Sequence, residues 1–237
     1  MKKQPVHKRR RKANRLRKRR KKKKKNIKMT IFGLGNPTAV YANTRHNLGF
    51  MVLDLIAQRL RTRFHHLPGK FIARTQFAGT KLTLIKPLLY MNESGVVVRE
   101  HLAEEPDDFL VVVDDIALPF GRLRLRPHGS DGGHKGLASI IYHLGSNKFP
   151  RLRIGICPPT PIKGSITEYV LSPFTKEESK LLPQILERAA DACLFVISEG
   201  LDQAMNRFNS TVIRHGTRGT VTDYGLPHYE NWYCRSA

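Results

Sequence analysis

Short apolar runs, each closed by a glycine, a proline or a charged turn, alternate along the chain with longer stretches in which apolar residues recur every three or four positions. The runs Thr30 to Gly33, Phe71 to Ala78, Lys81 to Ile85, Phe109 to Val113, Arg122 to Arg126 and Leu152 to Ile156 predict strands. Helical spacing predicts helices over Thr44 to Leu60, with Phe50, Leu53, Ile56 and Leu60 on one face, and over Glu93 to His101, Gly136 to Leu144 and Lys176 to Ser198. Strand and helix therefore alternate. The expected architecture is α/β, a single domain with a mixed, mostly parallel sheet and helices on both faces. Such open sheets hold their ligands beyond the carboxyl ends of the strands. Asn36, Asn92 and Asp114 each follow a predicted strand and fall at that end.

Composition changes this picture at the termini. The formal charge of +23 looks global, yet residues 1–28 carry 18 of the 42 Lys and Arg and no Asp or Glu. Beyond them 24 basic residues face 19 acidic ones, a net of +5. The expected organisation is a basic disordered tail over 1–28, a folded domain over 29–209 and a loose tail over 210–237, where periodicity is lost. RNA phosphate is the natural partner of a tail holding the run Lys21 to Lys25, through nonspecific contact. The competing reading starts translation at Met29, immediately before the first strand, and makes the tail irrelevant to the fold. An organelle transit peptide fits less well, because the segment lacks serines and an amphipathic apolar face.

No apolar run approaches the roughly 20 residues of a membrane span, and no signal-peptide core is present, so a cytoplasmic protein without membrane contact is expected. Cys157, Cys193 and Cys234 are widely spaced, against a zinc site or a disulfide framework.

The candidate chemistry centres on Gly33 to Asn47. A strand feeds a glycine-bounded turn, and His46 falls in the first turn of the predicted helix, where backbone N–H groups and the dipole oppose a second proton. A neutral imidazole there is a base. Gly33-x-Gly35 is not a dinucleotide fingerprint, because Thr38 stands where the third glycine belongs and Pro37 interrupts the pattern. Phosphate-loop, zinc-protease and serine-esterase motifs are also missing. What remains is a hydrolytic set without a protein nucleophile. His46 is the base, Asp114 orients it, and Asn36 and Asn92 bond water or an oxyanion without adding charge. Taken singly, each residue reads equally well as a cap, a turn former or a solvated loop group. Arg122, Arg124 and Arg126 alternate with leucines, which sets three cations on one strand face, either to bind phosphate or to lie solvated among surface ion pairs.

Several motifs occur together. Gly33 to Pro37, Tyr41, Thr44 to Asn47, Gly49, Lys86-Pro87, Met91-Asn92-x-Ser94-Gly95, Asp114-Asp115, Gly132-Gly133-His134-x-Gly136-Leu137 and Arg151 to Ile156 resemble, in order and spacing, the bacterial-type peptidyl-tRNA hydrolase family over about residues 29–209. The resemblance implies hydrolysis of the ester between a peptide and the 3′ ribose of tRNA, recycling tRNA without metal or cofactor, with peptidyl-tRNA as partner and a monomer as the working form. It makes His46 the catalytic base, Asp114 its partner, and Asn36 and Asn92 the groups that place substrate and water. Tyr41 and Met91 would line the crevice, or simply pack. Gly133 and His134 would bring a loop close to the peptidyl end, where the plainer reading is a tight turn and a helix start. Arg126 and Arg153 would hold the 5′ phosphate of the tRNA.

Two positions depart from the family pattern. Lys135 replaces the usual asparagine, which removes an acceptor and adds a cation suited to phosphate, and Ala117 replaces a common acidic residue. With the basic tail, they motivate an alternative, a non-catalytic RNA-binding member of the same fold.

Overall fold

The computed structural model describes residues 28–210. The tails expected over 1–28 and 210–237 lie outside that range apart from Lys28 and Ser210, as does Cys234. The seven strands are β1 (Lys28–Gly33), β2 (His65–Leu67), β3 (Lys70–Phe77), β4 (Thr80–Pro87), β5 (Asp108–Pro119), β6 (Leu123–Arg126) and β7 (Arg151–Cys157). The α-helices are α1 (Leu48–Arg59), α2 (Ser94–Glu104), α3 (Lys135–Leu144), α4 (Ile166–Val170), α5 (Lys176–Glu199) and α6 (Leu201–Phe208).

One sheet runs in the order β2-β3-β4-β1-β5-β7-β6. Its centre, β4-β1-β5-β7, is parallel, whereas β2-β3, β3-β4 and β6-β7 are antiparallel. The sheet is thus mixed as expected, with its parallel part confined to the middle. The reason on one flank is local. Only Ala78 and Gly79 separate β3 from β4, both with positive φ, and a two-residue turn joins antiparallel neighbours only.

β1 is buried at every position from Met29 to Gly33, which is why it reads as an unbroken apolar run. Its side chains feed two cores. Ile31 packs with Leu84, Leu110, Val112 and Ile154 under α1, α5 and α6, while Phe32 packs with Ile85, Val111 and Val113 under α2 and α3. Helices therefore cover both faces. No described helix is long and apolar enough to cross a membrane. Cys157 and Cys193 are free thiols.

The predicted helix over Thr44 to Leu60 divides into a 3-10 turn, Arg45–Asn47, and α1. Gly49 makes the junction possible. A side chain there would run into the backbone of Leu34 and Val112, and one at Gly33 into the carbonyl of Gly49. The helix thus rests directly on the strand ends and delivers the preceding turn to the carboxyl edge of the sheet. Gly49→Ala is expected to lower stability by roughly 1–3 kcal/mol through overpacking. A thermal melt should show this as a Tm several degrees lower, at about 2–4 °C per kcal/mol for a domain of this size.

Candidate active site

A crevice of about 250 Å³ opens at that carboxyl edge. Asn36, Tyr41, His46, Met91, Asn92, Asp114, Gly133, His134 and Lys135 all line it, so one site gathers residues spread over a hundred positions of sequence. Arg126 and Arg153 lie outside it, on β6 and β7.

Asp114 is the hub. It is not in a loop, as its place after the apolar run suggested, because β5 continues through it to Pro119 and pairs it with Ile154. It is buried, and so is Asp115. His46 Nδ1 lies 2.9 and 3.0 Å from the two carboxylate oxygens, and His134 Nε2 lies 3.2 Å from one of them. The two rings stand 4.8 Å apart between centroids. Burial works against ionisation of Asp114, but the neighbouring His46 and His134, by charge and by hydrogen bonding, outweigh it and hold the carboxyl below its ordinary range. His46 therefore faces a carboxylate. The ring lies in the 3-10 turn that runs directly into the N-terminus of α1.

His134 plays a part that its loop position did not announce. It is the N-cap of α3, where its Nδ1 accepts from the amides of Gly136 and Leu137 at 3.1 and 3.3 Å. An acceptor Nδ1 leaves the proton on Nε2, and that N–H donates to Asp114. Asp114 is thus steadied by a ring whose tautomer the helix end dictates.

Asn36 is oriented the same way. Its Oδ1 accepts from the amide of Met91 at 3.0 Å, which turns its NH2 group away from that contact as a donor. Asn47 fixes the turn beneath it, with Oδ1 accepting from Asn36 N at 2.7 Å and Nδ2 donating to Asn36 O at 3.1 Å. Asn47 was part of the motif, but nothing in the local pattern separated it from a capping residue. Asn92 follows Met91 in a 3-10 turn after β4 and is exposed at the crevice.

His46, Asp114 and His134 offer ligand atoms within 4.8 Å of one another, a set that also suits a metal ion. Yet Nδ1 of His134 is taken by two amides, and Nδ1 of His46 and Nε2 of His134 both already bond Asp114. The donor set is complete as a hydrogen-bond network.

On the basic face, the register sets Arg124 opposite Arg153 and Arg126 opposite Arg151. Arg124 and Arg126 are exposed, yet partial desolvation of the Arg124 guanidinium against the sheet, followed by the nearby Arg126 cation, pulls it below its usual range. Arg153 is largely engaged internally, with Nη1 on Asp115 Oδ2 at 3.0 Å and Nη2 on Ser130 O at 2.6 Å.

A mixed α/β sheet with a buried imidazole–carboxylate pair and amide groups at its carboxyl edge has the make-up of a hydrolase. Sequence comparison makes the assignment specific. The sequence model of the family described as peptidyl-tRNA hydrolase matches residues 30–216, and the chain belongs to that family. The peptidyl-tRNA hydrolase of Fervidobacterium nodosum is 45% identical over 188 residues, 79% of this chain and 99% of that protein. That of Roseiflexus castenholzii is 49% identical over 185 residues, 76% of this chain and 86% of its own. A solved peptidyl-tRNA hydrolase from Acinetobacter baumannii superposes with a TM-score of 0.72 at 32% identity, covering 79% of this chain and 97% of that one.

Proposed function

We propose that the protein hydrolyses the ester between a peptide and the 3′ ribose of tRNA, with His46 as the base that activates water. The observation that carries this reading is the contact of His46 Nδ1 with both oxygens of buried Asp114, in a crevice that Asn36 and Asn92 also line. Asp114 holds the proton on Nδ1, so Nε2 is the nitrogen left to accept. Water loses a proton to Nε2 as its oxygen bonds the ester carbon. The carbonyl oxygen becomes an oxyanion, to which the NH2 groups of Asn36 and Asn92 donate. Collapse breaks the bond to the ribose 3′ oxygen, which takes the proton back from the imidazolium. The products are a peptide carboxylate and tRNA with a free 3′ hydroxyl. Every residue in this scheme comes from one chain, which suits a monomer, and the substrate class suits the cytoplasm.

The test is incubation with N-acetyl-aminoacyl-tRNA. Release of intact tRNA and free N-acetyl amino acid is expected, and tight RNA binding without cleavage would turn the reading to an RNA-binding protein on this fold.

Arg126, exposed on its strand face, is the proposed contact for the 5′ phosphate of tRNA, with Arg153 on the paired strand, opposite Arg124, holding Asp115 and the loop at Ser130. Arg126→Glu should raise KM by about ten-fold while kcat changes little, and should flatten the dependence of log(kcat/KM) on log[salt] by about one unit per lost phosphate contact. Steady-state kinetics from 50 to 200 mM salt, with and without the 5′ phosphate, checks this. The phosphate-free substrate should show no further loss with the variant. Lys135, exposed at the crevice, is the proposed contact for a phosphate of the 3′ end. The basic tail of residues 1–28 adds nonspecific RNA affinity in this reading.

A further inference from the structure

Arg45 stands next to His46 in sequence, yet its side chain points away from the crevice and is only 3% exposed. Its guanidinium binds both carboxylate oxygens of Glu178, with Nη2 at 2.5 Å from Oε2 and Nε at 3.3 Å from Oε1. Nη1 faces four oxygens: the carbonyls of Tyr169, Ser172 and Pro173, at 3.3, 3.1 and 2.8 Å, and Oγ of Ser172 at 2.6 Å. The Tyr169 ring stacks 4.2 Å from the guanidinium carbon. The backbone joins in, since Arg45 N donates to Ser172 O and Thr44 bridges to Pro173. A planar fork that meets a carboxylate, a turn of carbonyls and an aromatic face at once is a demand that only arginine satisfies.

What Arg45 holds is an apolar wall of the crevice. Ile166, Val170 and Leu171 line the site, the first two on the five-residue α4, which has no fully buried residue, and Leu171 as its C-cap. Tyr169 and Val170 pack partly against the main core, and the polar ties of the segment run through the Ser165 cap, through Arg45, and through the Tyr169 hydroxyl, which donates to Ile156 O at 2.7 Å and lies 3.3 Å from Glu178 Oε1. Glu178, the other partner of Arg45, is also the third residue of α5 and closes the Thr175 capping box there. One guanidinium therefore links the turn that carries the base, the apolar wall and the start of the longest helix.

We propose that Arg45 is a positioning residue for the reaction, acting through the apolar wall. It fixes Ile166, Val170 and Leu171 at the distance from His46 where they pack against the side chain of the peptide's esterified residue, so that the ester carbon sits over the base. The inference rests on the reading of the site as a peptidyl-tRNA esterase. Correct placement by such remote contacts is worth up to about a hundred-fold in rate.

The experiment charges one tRNA body with N-acetyl-phenylalanine or with N-acetyl-glycine and compares the wild type, Arg45→Met, Arg45→Lys, Ile166→Ala and the Arg45→Met/Ile166→Ala double variant. Cleavage of both esters by the wild type is the control on the underlying activity, and its failure would remove that reading before this one. Arg45→Met should lower kcat/KM for the phenylalanyl ester by about ten- to hundred-fold, mostly in kcat, and for the glycyl ester by about three-fold at most. Arg45→Lys keeps a cation for Glu178 but not the fork, and should show the same selective loss in smaller measure. It serves where Arg45→Met does not fold. Ile166→Ala should lower phenylalanyl turnover in the wild type and add almost nothing to Arg45→Met. Equal losses on the two esters, or a full additional effect of Ile166→Ala in the double variant, would mean that Arg45 stabilises the fold without placing the wall.

Discussion

His46→Ala is expected to lower kcat by about 10²–10⁴-fold with little change in KM, the range that loss of a positioned base produces. His46 is only 8% exposed, its Nδ1 is committed to Asp114, and it lines the crevice with no other imidazole there able to replace it, because both nitrogens of His134 are already in use. Binding is assigned to other groups, the exposed arginine face and the crevice walls, so substrate should still saturate the variant. Stopped assays at saturating N-acetyl-aminoacyl-tRNA, with circular dichroism to verify folding, give kcat and KM separately. A rise in KM at constant kcat would recast His46 as a binding group.

Asp114→Asn is the second large effect. An amide keeps the shape but can present its NH2 group to His46 Nδ1, which then accepts and forces the ring proton onto Nε2, where no base remains. It also removes the charge that stabilises imidazolium as water is deprotonated. The loss should reach about 10³–10⁴-fold in kcat, as expected when the tautomer is wrong. Stability responds with a defined sign. Because the folded carboxyl titrates below its unfolded value, Asp114 contributes stability above roughly pH 3.9, and that contribution fades as pH falls toward the folded value. Urea midpoints of the wild type and Asp114→Asn should therefore differ at pH 7 and converge under strong acid. A constant difference across that range would show that the Asp114 charge adds nothing to the fold.

The sheet was readable wherever burial made strands into apolar runs. β1, β3, β4, β6 and β7 were anticipated to within a few residues, and so were α1, α2, α3 and α5. β2 was invisible because His65, His66 and Leu67 are all exposed, and their pairing with β3 leaves no hydrophobic alternation. α4 and α6 span five and eight residues, too short for periodicity to register. The expected strand over Phe109 to Val113 stopped where the apolar run stopped, yet β5 continues because Asp114 exchanges water for two imidazoles and Asp115 for Arg153.

The site was legible mainly through its composite motif. No local pattern says that His134 bonds Asp114, or that Asn47 cradles Asn36, since these contacts join segments 20 and 11 positions apart. Arg45 was hidden most completely. A charged residue in a polar motif reads as surface, and its burial depends on a cage of carbonyls more than 120 positions away.

Direct activation of water by His46 against the ester of peptidyl-tRNA is the step on which the proposed reaction turns. Rapid-quench single turnovers of N-acetyl-phenylalanyl-tRNA, following both products in the wild type and in His46→Ala, test it most directly. tRNA and N-acetyl-phenylalanine should appear together with one rate constant, which falls by about 10²–10⁴-fold in the variant. A burst of free tRNA ahead of the acid would reveal a covalent acyl-enzyme, and an unchanged rate in the variant would exclude His46 as the base; either result contradicts it.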